Sequence, residues 1–447
     1  MPPLDSIFKA YDIRGVVPDQ LDAGVARAVG GAFARFTGAS RILVGRDMRP
    51  SGVELTEAFA EGATSQGADV VHLGLISTDL AYYAAGSRDA PAAMFTASHN
   101  PAKYNGIKLC LAGAKPVGQD TGLADIKEMV ESGELPEADG KGEVSELDLL
   151  DEYADHVRSF VDVSSLRPLK VVADTANGMG GLVAPAVFEG LPYDLEIMFG
   201  ELDGTFPNHP PDPINPENLN ALQARVLEVG ADVGLAFDGD ADRVFLIDEK
   251  AEPMSGSTTT AFVAKSILRK NPGAAVIYNL ICSKAVPEII EENGGRPIRT
   301  RVGHSFIKKV MAETDAIFGG EHSGHYYFRD NYRADSGLIA AMLVLEELSR
   351  VPEPLSELRK PLERYAASGE VNVEVDDPPG TLERVAEAFG EAEQERVDGL
   401  TVEMGDWWFN VRPSNTEPLL RVNLEAPDPA SCKKHLDEVL ALIREES

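Results

Sequence analysis

A short acidic loop between two apolar runs constrains this chain more than any other feature. Residues 238–243 read Asp-Gly-Asp-Ala-Asp-Arg, and they lie between the apolar runs 233–237 and 244–248. Each run is typical of a buried strand. Asp238, Asp240 and Asp242 occupy alternate positions, and in extended backbone alternate side chains share one face. Three carboxylates on one face repel each other unless a cation lies between them.

Magnesium is the cation that this set of hard oxygen ligands favours. A calcium-binding EF-hand also begins Asp-x-Asp-x-Asp. However, it requires a glycine where this chain has Arg243, and helices where this chain has strand patterns. A solvated acidic turn without metal is the other alternative, and we favour the magnesium site. Arg243 beside a metal is well placed to hold a phosphoryl oxygen.

A serine on a sharp turn forms the second motif. Residues 96–101 read Thr-Ala-Ser-His-Asn-Pro and follow the apolar run 92–95, which predicts a buried strand that ends in a turn. Such a turn presents the Ser98 hydroxyl outward as a candidate nucleophile. The basic neighbours His99 and Lys108 suit an anionic group on or near this serine. A loop serine that merely caps a turn is the alternative.

Two further polar loops lie in the second half of the chain. Residues 321–325 read Glu-His-Ser-Gly-His. A zinc site is one interpretation, but soft ligands are missing, and the convergence of a carboxylate, a hydroxyl and two imidazoles favours sugar recognition. His325 or His304 could move a proton near neutral pH. Residues 412–418 read Arg-Pro-Ser-Asn-Thr-Glu-Pro, and such a loop can hold a phosphate through hydroxyls, backbone N–H groups and Arg412 or Arg421.

The charge balance argues against several classes of partner. The 447 residues include 73 acidic and 41 basic side chains, and the net charge of −32 is spread along the chain. This argues against nucleic-acid binding and against attraction to anionic membranes. It also favours a halophilic source, with an ordinary acidic enzyme as the alternative. Three widely spaced cysteines exclude a cysteine-based zinc site, and with no signal-peptide pattern they predict a cytoplasmic protein.

Alternating strand and helix patterns predict α/β domains. We place three of them at 1–150, 151–250 and 251–366, and a smaller α+β domain at 367–447. Each contains one of the four polar motifs. In the first domain Asn105-Gly106 is a turn signal, and a hairpin could bring Lys108 back over Ser98.

Together the motifs resemble those of the α-D-phosphohexomutase family. The family's phosphoserine loop T-A-S-H-N-P matches 96–101, and its metal loop D-G-D-x-D-R matches 238–243. Its sugar-binding loop G-E-x-S-G-H matches 320–325, and its phosphate loop R-x-S-N-T-x-P matches 412–418. The opening F-x-A-Y-D-I-R-G matches 8–15. The resemblance implies three similar α/β domains with mixed sheets plus a smaller C-terminal α+β domain around a central cleft.

The resemblance also implies a reaction. Ser98 would carry a phosphoryl group and pass it to a hexose monophosphate. The resulting hexose 1,6-bisphosphate would turn over in the cleft and return its other phosphoryl group to the serine. The implied roles are magnesium binding by Ser98, Asp238, Asp240 and Asp242; catalysis by Ser98, Arg243, Lys108, Arg14, His99, His304 and His325; and substrate binding by Tyr11, Glu321, Ser323, Arg412, Ser414, Asn415, Thr416 and Arg421.

Details of the motifs favour mannose phosphates as substrates. Asn415 resembles the phosphomannomutase and phosphoglucomutase branches, whereas phosphoglucosamine mutases usually have glycine there and glutamine at the position of His322. A phosphoglucomutase or a bisubstrate enzyme is the alternative, and a phosphoglucosamine mutase or a non-catalytic sugar-phosphate sensor is a more distant one. We expect a monomer or weak homodimer whose partners are small-molecule hexose phosphates.

Overall fold

Four β-sheets, each flanked by helices, organise the chain. The computed structural model describes residues 4–133, 135, 138, 140–413 and 419–444. The first three sheets are mixed, and the fourth is antiparallel throughout. This agrees with the fold class predicted from the sequence.

The first sheet contains seven strands in the order β1-β5-β4-β2-β3-β7, with β6 paired to β5. Its elements are β1 (Ile13–Val16), α1 (Ala23–Thr37), β2 (Arg41–Arg46), α2 (Gly52–Ser65), β3 (Asp69–Leu75), α3 (Thr78–Ser87), β4 (Ala92–Phe95), β5 (Tyr104–Leu111), β6 (Lys115–Pro116), α4 (Leu123–Ser132) and β7 (Val144–Glu146).

The second and third sheets have five strands each. The second unit comprises α5 (Leu150–Arg158), β8 (Leu169–Asp174), α6 (Gly180–Phe188), β9 (Tyr193–Met198), α7 (Asn220–Val229), β10 (Val233–Phe237), β11 (Val244–Asp248) and β12 (Pro253–Met254). The third comprises α8 (Gly256–Lys270), β13 (Ala275–Asn279), α9 (Ala285–Glu292), β14 (Arg296–Thr300), α10 (His304–Thr314), β15 (Phe318–Gly320), β16 (Tyr326–Phe328), β17 (Ala334–Asp335), α11 (Gly337–Arg350) and α12 (Leu355–Arg359).

The fourth unit is smaller, and its sheet runs in the order β18-β22-β21-β20-β19. Two helices accompany these five strands. The elements are β18 (Ala366–Glu374), α13 (Pro378–Ala388), β19 (Glu393–Glu395), β20 (Leu400–Glu403), β21 (Trp408–Pro413), β22 (Leu419–Ala426) and α14 (Pro429–Arg444).

The first three sheets share one topology, and this topology places the motifs. In each sheet, three neighbouring parallel strands continue into an antiparallel strand: β3-β2-β4 into β5, β9-β8-β10 into β11, and β14-β13-β15 into β16. The loop that joins the last parallel strand to its antiparallel neighbour carries the serine motif, the acidic motif and the Glu-His-Ser-Gly-His motif respectively. The three motifs therefore occupy equivalent positions in three similar units.

Buried apolar side chains join the first three units. One cluster includes Tyr82 of the first unit, Val171 of the second and Val276 of the third. The fourth unit has a core of its own around Phe409. It is tied to the third unit by polar contacts such as the 2.7 Å ion pair between Lys284 and Glu403.

Two local predictions differ from the structure. Asn105-Gly106 is not a turn, because both residues lie inside β5 and pair with β1. The turn of the β4–β5 hairpin comes earlier, and the register pairs Lys108 with Met94. The acidic loop is not extended, since Ala241 has a φ of 61°. Among the residues described, no helix combines the length and the apolar character needed to cross a bilayer.

Candidate active site

The serine loop and the acidic loop meet through a direct hydrogen bond. The Ser98 hydroxyl donates to Oδ2 of Asp238 over 2.7 Å, and Ser98 is buried. Ser98 has a φ of 47°, a left-handed conformation that is uncommon for a residue other than glycine. Its N–H donates to the Thr96 hydroxyl over 2.9 Å. The hydroxyl is therefore directed at the acidic loop and not at open solvent.

The three aspartates converge despite the tight turn between them. One carboxylate oxygen from each of Asp238, Asp240 and Asp242 lies within 4.8 Å of the others, and all three residues are buried. Lys108 donates to Asp240 over 2.8 Å and to Asp242 over 2.9 Å, and Thr78 donates to Asp240 over 2.6 Å. The β4–β5 hairpin thus brings the Lys108 ammonium of the first unit into contact with two carboxylates of the second unit.

Two oxygens of this cluster have no partner within the described part of the chain. Oδ1 of Asp240 and Oδ1 of Asp242 are buried and accept no hydrogen bond from any described residue. A buried carboxylate oxygen without a donor is costly in free energy. Such oxygens are suitable ligands for a divalent cation, so the donor set fits a hard metal ion.

Glycine is required where the two loops touch. A Cβ added to Gly239 would lie 2.4 Å from the carbonyl oxygen of Ser98. No real Cβ approaches an oxygen so closely without displacing it. The absence of a side chain at Gly239 therefore allows the two motifs to approach each other.

Arg243 joins the hydroxyl to the carboxylate. Its Nε donates to Asp238 Oδ2 over 2.9 Å, and its Nη2 lies 3.3 Å from the Ser98 hydroxyl. The same Nη2 lies 2.8 Å from Nδ1 of His99. Burial, with the nearby Arg243 and Arg14, holds the pKa of His99 well below its usual range. His99 is therefore a neutral acceptor that orients Arg243, and not the cation expected from the sequence.

Arg14 contacts the serine loop from the N-terminal segment. Its Nη1 donates to the side-chain oxygen of Asn100 over 2.7 Å, and it forms an ion pair with Asp12. The guanidinium is partly exposed, which leaves room for an anion beside Ser98.

Electrostatic effects within the cluster are large. Burial and the neighbouring Asp242 and Asp240 raise the pKa of Asp238 to about 7, although Arg243 opposes this shift. Burial lowers the pKa of Lys108, but Asp240 and Asp242 outweigh it and raise that pKa well above its usual value. Burial raises the pKa of Asp240, but Lys108 and Thr78 outweigh it and lower that pKa, so the cost of the negative charge falls on Asp238, whose carboxylate form an added cation would stabilise.

His325 approaches the acidic loop from the third unit. Its backbone forms a β-bridge with Arg243, and its Nδ1 lies 2.8 Å from Asp335 Oδ2 and 4.0 Å from Asp242 Oδ1. Burial lowers the pKa of His325, but the hydrogen bond to Asp335 and the charge of Asp242 more than compensate and raise it. Asp335 also lies 3.4 Å from the buried Lys308 ammonium.

The rest of the Glu-His-Ser-Gly-His loop does not converge as the sequence predicts. The carboxylate of Glu321 is buried and accepts hydrogen bonds from Asn279, from the Gly303 N–H and from Tyr327. Nδ1 of His322 lies 2.9 Å from the Ser257 hydroxyl, whereas Nδ1 of His325 lies against the Asp335 carboxylate. The two imidazoles therefore have different hydrogen-bond partners. Ser323 lies between them in the sequence, on the partly exposed turn.

The remaining predicted residues lie around these loops. Tyr11 packs edge-on against Phe306, with ring centroids 6.3 Å apart, and its pKa is raised by burial and affected by Arg301, Asp398, Glu321 and Arg412. His304 is the first residue of α10. Ser414, Asn415 and Thr416 lie outside the described residues.

Two arginines flank that segment. Arg412 and Arg421 are cross-strand partners in β21 and β22 and lie 2.8 and 3.3 Å from the carboxylate of Glu370. Two guanidinium groups held together by one partly exposed carboxylate can accept an anion such as phosphate.

Family comparisons match the four units in the same order. Models described as phosphoglucomutase/phosphomannomutase α/β/α domains I, II and III match residues 5–137, 151–252 and 255–365, and a model of the C-terminal domain matches residues 370–442. The chain belongs to the α-D-phosphohexomutase family. It is an isomerase, as the motifs predict.

Relatives of this phosphohexomutase are similar over almost their whole length. A phosphomannomutase of Escherichia coli K12 is 38% identical over 430 residues, which is 94% of each chain. A phosphomannomutase of Methanocaldococcus jannaschii is 38% identical over 445 residues, or 98% of this chain and 97% of that one. The crystal structure of a phosphoglucomutase/phosphomannomutase family protein from Burkholderia thailandensis has a TM-score of 0.90 at 33% identity and covers 100% and 99% of the two chains. Phosphohexose mutase activity follows from these relatives.

Several residues at this phosphohexomutase site escaped the sequence analysis. Thr78 and Asp335 contact the motifs from other segments, and Glu370 holds both C-terminal arginines. Thr78 and Glu370 lie in no recognisable pattern, and the run Asp335-Ser336-Gly337, which resembles phosphomannomutases, gives no role to Asp335, because the contacts of all three depend on how the units pack. Arg49 lies in the loop that the sequence pattern places after a strand, and the sequence gives no sign of what its side chain contacts.

Proposed function

We propose that this phosphohexomutase interconverts mannose 1-phosphate and mannose 6-phosphate through a phosphoserine at Ser98 and a bound hexose 1,6-bisphosphate. The observation that carries the proposal is the 2.7 Å hydrogen bond from the Ser98 hydroxyl to Asp238, inside a buried cluster of three carboxylates and one arginine. A serine held there can accept a phosphoryl group, because the neighbouring arginine can neutralise the charge of that group.

Magnesium fits the donors of this cluster. The three aspartates provide oxygen ligands, of which Oδ1 of Asp240 and of Asp242 accept no hydrogen bond from the described residues. We propose that Asp238, Asp240 and Asp242 hold Mg2+, together with an oxygen at Ser98. When bound, the ion supplies positive charge beside the transferring group.

The protein side chains then have distinct roles. Ser98 accepts and returns the phosphoryl group through its Oγ. Arg243, oriented by neutral His99, donates N–H groups to the phosphoryl oxygens. Lys108 and Arg14 add positive charge. Lys108 contacts Asp240 of the acidic loop, and Arg14 contacts Asn100 of the serine loop. Charge on the transferring group is thereby stabilised without rearrangement of the site.

A proton must leave the sugar hydroxyl that attacks the phosphoserine and must return in the reverse step. We propose His325 for this transfer. Asp335 holds its Nδ1, which fixes the ring and leaves Nε2 for the sugar. His304, which begins α10, is the alternative predicted from the sequence.

The sugar and its second phosphate would lie between the third and fourth units. We propose that Tyr11, Glu321 and Ser323 contact the sugar, and that Arg412 and Arg421, with Ser414, Asn415 and Thr416, bind the non-transferring phosphate. Oε1 of the buried Glu321 carboxylate accepts from Asn279 and the Gly303 N–H, and Oε2 accepts from Tyr327, which leaves Oε2 a lone pair for a sugar hydroxyl. We also propose that each of the four structural units corresponds to one of the four domains predicted from the sequence.

The mannose preference is supported by the relatives' names and by Asn415, and a glucose or bisubstrate enzyme is the second candidate. The test measures mutase activity with magnesium on mannose 1-phosphate, glucose 1-phosphate and glucosamine 1-phosphate, with a trace of bisphosphate to phosphorylate Ser98. A preference for mannose supports the proposal, and comparable glucose turnover favours a bisubstrate enzyme. Ser98→Ala should abolish turnover and retain binding. Turnover unchanged by Ser98→Ala would refute the role given to this serine.

A further inference from the structure

A completely buried arginine lies beneath the serine loop. Arg49, in the loop after β2, has no solvent exposure. Its Nη2 donates to the carbonyl oxygens of Ser98 over 2.9 Å and Asn100 over 2.7 Å. Its Nη1 donates to the carbonyl oxygens of Pro101 over 3.0 Å and Tyr104 over 2.9 Å. One guanidinium group therefore binds four carbonyls of the segment that contains the candidate nucleophile.

The charge of Arg49 is balanced and shielded from water. Its Nε donates to Asp47 Oδ2 over 3.2 Å, and its own backbone N–H donates to Asp47 Oδ1 over 2.9 Å. Asp47 is also completely buried. On the other side, the guanidinium carbon lies 5.1 Å from the centre of the Phe206 ring, which belongs to the second unit. A low local dielectric strengthens hydrogen bonds in such a place.

These contacts define the shape of the serine loop. Four carbonyl oxygens that point at one spot repel each other unless a donor lies between them, and the planar guanidinium can satisfy all four. On the other side of the residue, the Thr96 hydroxyl accepts a hydrogen bond from the N–H of Ser98 over 2.9 Å. The left-handed φ of Ser98 is thus held from both its N–H and its carbonyl side.

We propose that Arg49 is a positioning residue for phosphoryl transfer. It holds the Ser98 carbonyl and so directs the hydroxyl at Asp238 and Arg243, although it does not contact the hydroxyl itself and has no solvent exposure. This inference rests on the proposed function of Ser98 as the phosphoryl acceptor. Its consequence is that Arg49 acts on the rate of transfer and not on sugar binding.

Lysine at position 49 would keep the charge beside Asp47 and lose the planar set of donors. We therefore expect Arg49→Lys to fold and to bind mannose 6-phosphate with wild-type affinity. A displacement of about 1 Å at a reacting atom costs roughly 100-fold in rate. We expect kcat to fall by this order while KM stays close to the wild-type value. The rate at which mannose 1,6-bisphosphate phosphorylates Ser98, followed by intact mass and peptide mapping, should fall in parallel.

Arg359 provides a matched control. It too is mostly buried, and it donates to the carbonyls of Glu252 and Pro253 and to the carboxylate of Asp248, far along the chain from the serine loop. Arg359→Lys should lower the unfolding temperature and leave the Ser98 phosphorylation rate unchanged. In Arg49→Ala, added guanidinium chloride at millimolar concentration should restore part of the phosphorylation rate.

The outcomes separate the two proposals. If wild-type protein shows no phosphoryl group on Ser98, the proposed function fails, whatever Arg49 does. If Ser98 is phosphorylated in the wild type and Arg49→Lys is phosphorylated equally fast, the role of Arg49 is refuted. Should neither of these Arg49 variants fold, Arg49→Gln keeps a planar donor group at this position and offers fewer N–H groups to the four carbonyls. A wild-type phosphorylation rate in folded Arg49→Gln also refutes the role, whereas a slower rate supports it.

Discussion

The contact between Gly239 and Ser98 makes a quantitative test of the site. In Gly239→Ala the new Cβ would lie 2.4 Å from the Ser98 carbonyl oxygen, and ordinary contact begins at 3.4 Å. The two loops must therefore separate by the difference, about 1 Å, which on an active-site group costs roughly 100-fold in rate.

The separation cannot be absorbed locally. The Ser98 oxygen is held at 2.9 Å by Arg49, and on the other side the Cβ would meet Pro211 at 3.4 Å. Overpacking of this kind destabilises a protein by about 1–3 kcal/mol. We expect Gly239→Ala to lower kcat by about two orders of magnitude, and to lower the unfolding temperature by an amount that still leaves the protein folded.

The assay compares kcat, KM and the unfolding temperature of the wild type, Gly239→Ala and a control. Gly140→Ala is a suitable control, because no atom of the residues described lies within 4 Å of its added Cβ. It should match the wild type in all three quantities. A Gly239→Ala enzyme with wild-type kcat would show that the two loops need not touch during catalysis, and would refute this account of the site.

Three further predictions follow from the buried charges. Lys108→Met breaks the ion pairs with Asp240 and Asp242. Breaking a buried pair destabilises a protein by about 3–5 kcal/mol, because the remaining charge is left without a partner. Magnesium should therefore raise the unfolding temperature of this variant more than that of the wild type, and equal shifts would count against the metal site. Burial raises the pKa of Asp79 to about 7, so its protonated form favours the folded state and this stability is lost as pH rises. Between pH 5.5 and 7.5 the free energy of unfolding of Asp79→Asn should therefore gain about 2 kcal/mol relative to the wild type, as measured by urea unfolding, and a pH-independent difference would contradict the assignment. Asp335→Asn should lower the pKa of His325 and move the acidic limb of the kcat profile to lower pH, and an unmoved limb would exclude His325 as the proton carrier.

The polar motifs were predictable from the sequence because each is local. Strand-forming runs on both sides of residues 238–243 predict the loop, and the alternating aspartates predict a cation site whatever the surroundings. The carboxylates do converge, but through a turn at Ala241 and not through extended backbone, and the cation site itself stays a prediction. Likewise a hairpin does carry Lys108, but Asn105-Gly106 is inside its strand, because pairing with β1 and β4 outweighs the local turn preference.

The sequence alone determined the family, the four-unit α/β architecture and the identity of the chemical groups, since these depend on short patterns and their order. The tertiary structure decided which groups meet. The hydrogen bond from Ser98 to Asp238, the support of His325 by Asp335 and the clamp formed by Arg49 join residues 10 to 140 positions apart, and the neutral state of His99 depends on burial. Such contacts leave no periodic signal in the chain. They arise because three similar sheets turn their equivalent loops towards one another, so that water is excluded and each charge must find a partner.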